Sequence, residues 1–107
     1  MISRCALFIG TVKPGLEAQM RAHVEAQLAP LWRKFEGAAA VRVLYAHKLD
    51  DNGPAIPLVL QVDYHSRADI DRALASPARF KSRDMLPAFY EQFWDQVQLV
   101  HHEYEIG

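Results

Sequence analysis

LVLQVDYHSRADIDRALASP, residues 58–77, contains a strand, a helix cap and a helix in direct succession. Side chains alternate along an extended segment, so Leu58, Leu60, Val62 and Tyr64 form one face and Val59, Gln61, Asp63 and His65 the other. The first face is apolar and belongs to a core. The second carries groups capable of chemistry. Ser66 then offers a hydroxyl to the free amides of a helix whose apolar positions are Ile70, Ala73 and Leu74. Ser76-Pro77 repeats the signal, with serine as cap and proline at the first helical position.

Working outward, ISRCALFIGTV (2–12) is β-compatible and stops at the turn signal Lys13-Pro14-Gly15. Of its two faces, Ser3, Cys5, Leu7 and Ile9 are the more apolar set, which leaves Arg4, Ala6, Phe8 and Gly10 for the other side of the sheet. From Leu16 the period changes to helical, through Met20, Val24, Leu28, Leu31, Trp32 and Phe35. Pro30 predicts a kink or break near residues 27–30, and Gly37 is placed to end the helix. AVRVLYAHK (40–48) reads as a second strand, and LDDNGPAIP as the loop to the third strand, 58–65. A second helix spans about residues 67–75. Asp84 is expected to cap a further helix whose stripe is Leu86, Phe89, Tyr90, Phe93, Trp94 and Val97; these rings are expected to cover the sheet. The last strand is 97–106.

The order β-α-β-β-α-β, with its second helix split, predicts a single α+β domain over residues 1–107 with a ferredoxin-like arrangement. That means a four-stranded antiparallel sheet, helices on one face, and the first strand between the third and fourth. Right-handed crossovers leave the opposite face bare. We expect Phe8, Leu44 and Val59 on it, and a second copy packed sheet to sheet as its cover.

Twelve basic and thirteen acidic residues give a net charge of −1, so no summed field draws the protein to nucleic acid or to an anionic membrane. The strands also lack the aromatic and basic pattern of an RNA-recognition sheet. The single Cys5 has no partner for an internal disulfide, which suits a cytoplasmic, reducing compartment. No apolar run approaches the roughly 20 residues that span a bilayer, and no targeting segment is expected.

At this level the chain resembles the dimeric α+β barrel superfamily. The likeness is sharpest in VDYHSRADIDRALASPARF (62–80), where a strand ends, a serine caps a helix and Ala-Leu-Ala-Ser-Pro follows. It is most similar to the EthD branch, typified by the ethyl tert-butyl ether degradation accessory protein, with antibiotic-biosynthesis monooxygenases and stress-responsive barrel proteins as relatives. The resemblance implies a homodimer that encloses a cavity for a small molecule. Barrel proteins that cyclise polyketide-like substrates carry a catalytic histidine where this chain has Arg79, so that role is not carried over. Haem is not carried over either, since the relevant residues of haem-degrading relatives have no clear counterparts.

Several residues are candidates for chemistry. Gln61, Asp63 and His65 stand in a row on the bare face, roughly 6.5–7 Å between neighbours by strand rise. His65 is the expected general base, with Asp63 to orient it. Gln61, Arg4, Phe8 and His101 are the expected substrate-binding residues, with Arg42 beside them. The doublet His101-His102 sends one imidazole to each face, and His101 with Glu103 is expected on the bare one. Two histidines and two carboxylates would then share a surface, yet their spacing matches no metal signature, and no metal or cofactor is expected. There is no Gly-rich phosphate loop and no Gly-x-Ser-x-Gly turn.

Two functions remain. One is a cofactor-independent enzyme of oxygenase, isomerase or proton-transfer type acting on a small aromatic or polycyclic compound. The other is a non-catalytic accessory or ligand-binding dimer.

Overall fold

The computed structural model describes residues 1–107. Its elements are β1 (Ile2–Val12), α1 (Glu17–His23), a π-helical turn (Val24–Leu28), α2 (Ala29–Trp32), β2 (Ala40–Tyr45), β3 (Leu58–Tyr64), α3 (Arg67–Leu74), α4 (Pro77–Asp84), α5 (Leu86–Phe93) and β4 (Trp94–Glu105). The strands form one antiparallel sheet in the order β2-β3-β1-β4, as the split βαβ reading requires. No helix is long and apolar enough to cross a membrane.

Local signals explain most boundaries. The Ser66 hydroxyl accepts from the Asp69 amide at 3.2 Å, and Ser76 accepts from the Arg79 amide at 3.4 Å, so both serine caps form. Pro30 has no N–H to return to the preceding turn. The helix answers by widening: the Ala29 amide reaches back five residues to the Val24 carbonyl, and the α-helix resumes with proline in its first turn. The expected break is therefore a π-bulge. Helical structure stops at Trp32, before Gly37, whose φ of 82° serves a later turn that presses on α3. A Cβ there would lie 2.9 Å from the Asp69 carbonyl oxygen.

Two boundaries differ from expectation. Asp84 ends α4 instead of capping the next helix, and Trp94 and Val97 belong to β4 rather than to the aromatic helix. The helix stops because Trp94 turns extended (φ −118°, ψ 138°), and its indole joins the core from the sheet.

The larger correction concerns faces. Arg4, Ala6 and Phe8 look toward the helices, as do Leu60, Val62, Tyr64, Leu99 and His101, all of which line one cavity on that side. Ser3, Cys5, Leu7 and Ile9 therefore lie on the uncovered face with Val59, Gln61 and Asp63. Register carries the same conclusion into β4: Ala6 pairs with His101 and Arg4 with Glu103, so His102 and Tyr104 are the ones on the uncovered face. Phe8 is the decisive residue. It is 1% exposed and meets Trp32, Phe89, Tyr90 and Trp94 with ring centroids 6.2–6.4 Å apart. Gly10 belongs to the same strand because β4 passes so near that a Cβ would lie 1.9 Å from the Gln96 carbonyl oxygen.

Candidate functional site

The sheet and helices do not close completely against each other. Between them lies a cavity of about 120 Å³. Strand register orders its floor. Toward the middle of the sheet it is apolar, with Phe8, Leu60 and Leu99, and toward the start of β1 it becomes polar, with Arg4, Tyr64 and His101. Trp32, Phe35, Leu74 and Leu86 wall it from the helical side, and Arg79, Ser82 and Arg83 of α4 complete the rim.

The polar end is electrostatically organised. Arg4 donates to Glu103 at 2.7 Å, and Arg67 from α3 donates to the other carboxylate oxygen at 2.6 Å. Those hydrogen bonds, Arg4's first, hold the Glu103 carboxyl below its usual range against a smaller opposing effect of lost hydration. His101 is exposed at the mouth, but its ring is partly desolvated. That effect, then the fields of Arg4 and Arg79, push its pKa below the usual imidazole value, and Glu103 opposes them. Burial raises the Tyr64 phenol to about 12, with Arg4 pulling the other way. At neutral pH the site thus holds a neutral imidazole and a neutral phenol among guanidinium groups.

The sign of the His101 shift gives a testable consequence. A histidine protonated less readily in the folded state contributes stability that is complete above its unfolded pKa, near 6.5, and lost as pH falls through its lower folded value. Denaturation midpoints followed from pH 7.5 downward should therefore fall less steeply in His101→Gln than in the parent. Parallel curves would contradict this placement of the charge.

The sequence-expected site residues divide between two surfaces. Arg4, Phe8 and His101 meet in the cavity, on the side opposite to the one expected. Gln61 and Asp63 lie on the uncovered face, where Gln61 donates to Ser3 at 3.0 Å and Arg42 donates to Asp63 at 2.9 Å. His65 follows the end of β3 and is exposed. Neither His65 nor Asp63 lines the cavity. The anticipated grouping of Asp63, His65, His101 and Glu103 does not form, because the sheet separates its members; no three His, Cys, Asp or Glu residues converge elsewhere. Sequence reasoning passed over Arg83 and Tyr64 as site residues. The signal available was the four-residue spacing of Arg79 and Arg83 behind the Ser76 cap, which sets both on one helix face.

A second, more open depression of about 510 Å³ lies between the end of β1, α1 and the loop before β3. Two of its polar groups are engaged: Arg21 packs over the Tyr45 ring at 4.5 Å, and Tyr45 donates to Glu25 at 2.8 Å. The smaller cavity brings Arg4, Tyr64, Arg79, Arg83 and His101 beside an apolar floor.

No protein-family model and no curated protein sequence matches the chain. Solved structures do. An EthD-family protein of Bacillus halodurans aligns over 100% of this chain and 99% of its own, with a TM-score of 0.71 and 18% identity. A dimeric ferredoxin-like protein of unknown function from Jannaschia sp. aligns over 99% and 100%, with a TM-score of 0.66 and 12% identity. SnoaB, a cofactor-independent oxygenase of Streptomyces nogalater, aligns over 98% and 91%, with a TM-score of 0.61 and 17% identity. At such identities the likeness is one of fold. The chain has a ferredoxin-like βαββαβ fold, the fold it shares with these structures.

Proposed function

We propose that this protein is a homodimeric small-molecule enzyme of proton-transfer type, with its site in the cavity between sheet and helices. The observation that supports it best is the meeting of a neutral imidazole, His101, with an apolar pocket and positive charge. A general base must be unprotonated at working pH and near an apolar space that excludes competing water. His101 meets the first demand and borders the apolar part of the cavity, where a bound ring would displace water. In this reading His65 and Asp63 are not the catalytic pair.

Volume narrows the substrate. A cavity of about 150 Å³ accommodates benzene, so about 120 Å³ with an open mouth suits one ring and not a polycycle. In the step we envisage, a ring nitrogen of His101 takes a proton from carbon next to a carbonyl. The bond's electron pair moves to the carbonyl oxygen as an enolate, which the charges of Arg4 and Arg79 stabilise. Return of a proton from the imidazolium completes an isomerisation or exchange without a cofactor.

Support for the dimer comes from the uncovered face. Leu44 on that face is 45% exposed and Leu7, Val59 and Val100 beside it are only half-buried, an apolar band that a second copy would cover. The structural relatives described as dimeric point the same way. The half-buried Cys5 thiol on that face suits a reducing, cytoplasmic setting.

Acetophenone in deuterated water tests the site reading. The parent should catalyse exchange of the methyl protons. His101→Gln should lose about 10²-fold or more of that rate, and Leu99→Trp, which fills the cavity from β4, should abolish it while both variants stay folded. Exchange that survives either change, or that the parent never shows, would remove the proposal.

A further inference from the structure

Arg79 and Arg83 are the unexplained groups at this site. The other arginines at this end of the cavity have an acidic partner, since Arg4 and Arg67 share Glu103. Arg79 and Arg83 have none. The Arg79 side chain makes one hydrogen bond within the chain, from Nη1 to the Leu74 carbonyl at 3.3 Å, which leaves most of its guanidinium donors free. The two residues stand one turn apart on α4, where like charges repel. Both guanidinium groups also pack on the Phe80 ring, 5.7 and 5.5 Å from its centroid, and both line the cavity. Glu103, the carboxylate at the polar end of the cavity, has both oxygens already occupied by Arg4 and Arg67.

We propose that Arg79 and Arg83 form the docking site for a carboxylate carried by the substrate, so that the cavity accepts a monocyclic organic acid with its ring toward Phe8 and its anion on α4. The proposal rests on the cavity reading above and names the substrate class. Planar guanidinium groups match a carboxylate in two-pronged geometry, and an anion seated there removes the repulsion between them. The apolar floor takes the ring. Burial and the neighbouring charges of Arg83 and Arg4 already make the Arg79 guanidinium less comfortable as a cation, a cost that an anionic ligand relieves.

Calorimetric titration with benzoate and with its neutral isostere benzamide separates the possibilities. The parent should bind benzoate at least about tenfold more tightly than benzamide, as charged hydrogen bonds predict, and high salt should shrink the difference. Arg79→Gln and Arg83→Gln should each bring benzoate toward the benzamide level and leave benzamide unchanged. Arg79→Lys should retain part of the preference, and the remote Lys48→Gln all of it. Equal binding of the two probes, or full benzoate affinity in both glutamine variants, would overturn the proposal. Acetophenone exchange without any benzoate preference would leave the proton-transfer reading standing and this one lost. An arginine-dependent benzoate preference without exchange would do the reverse.

Discussion

Phe8→Ala should cost about 3–5 kcal/mol of folding stability, read from the urea midpoint at unchanged slope. The ring is 1% exposed and is the one side chain in contact range of Trp32, Phe89, Tyr90 and Trp94, so it joins α2, α5 and β4 to the sheet. Removing it deletes the apolar area that folding takes from water and leaves a void that aromatic neighbours on three elements cannot jointly fill. The void would also merge with the ligand cavity, whose floor Phe8 supplies. A loss below about 1 kcal/mol would mean that Phe8 points to the uncovered face.

Leu7→Glu should convert the dimer to a folded monomer, seen as a halved mass by light scattering with an unchanged far-ultraviolet spectrum. Leu7 sits mid-strand on β1, paired with Val59 and Val100 on its two sides, and Leu44 pairs in turn with Val59. These side chains form an apolar band across the uncovered face, and an isologous dimer brings each band onto its own copy. Two carboxylates at the centre of such a contact would be desolvated without partners, a cost of several kcal/mol. In the lone protomer the same carboxylate meets water. A mass that stays dimeric would move the interface elsewhere, and a parent that is already monomeric at every concentration would remove it.

The course of the chain was legible because each step has a local cause. Ser66 and Ser76 cap, Pro30 disturbs a helix, and Leu58, Leu60, Val62 and Tyr64 alternate against polar neighbours. In β1 that alternation carries less information. Ser3, Cys5, Leu7 and Ile9 are the more apolar set by count, although Arg4, Ala6 and Phe8 are the residues that face the helices. Counting apolar residues chose the wrong face. The better guides were Phe8, the largest side chain of the strand, and Gly10, which marks close approach to β4.

The candidate site inherited that inversion. Arg4, Phe8 and His101 were recognised as a group, and they do meet, because all three depend on the same sheet face. His101 was set on the bare face because Val100, His102, Tyr104 and Ile106 are the more apolar alternating set of β4, whereas its pairing with Ala6 ties it to the face of Phe8. Gln61 and Asp63 were assigned their face correctly. Their hydrogen-bonding partners, Ser3 and Arg42, came from strands distant in sequence.

The central claim is that ligand enters between sheet and helices and not across the bare sheet. Nitrogen–proton correlation spectra recorded while benzoate is added test it most directly. The account predicts the largest shifts at the Trp32 indole and at the amides of Leu99, His101 and Arg79–Arg83, with little change at Gln61, Asp63 and His102. Shifts concentrated on Gln61, Asp63 and His102, with a silent Trp32 indole, would contradict it.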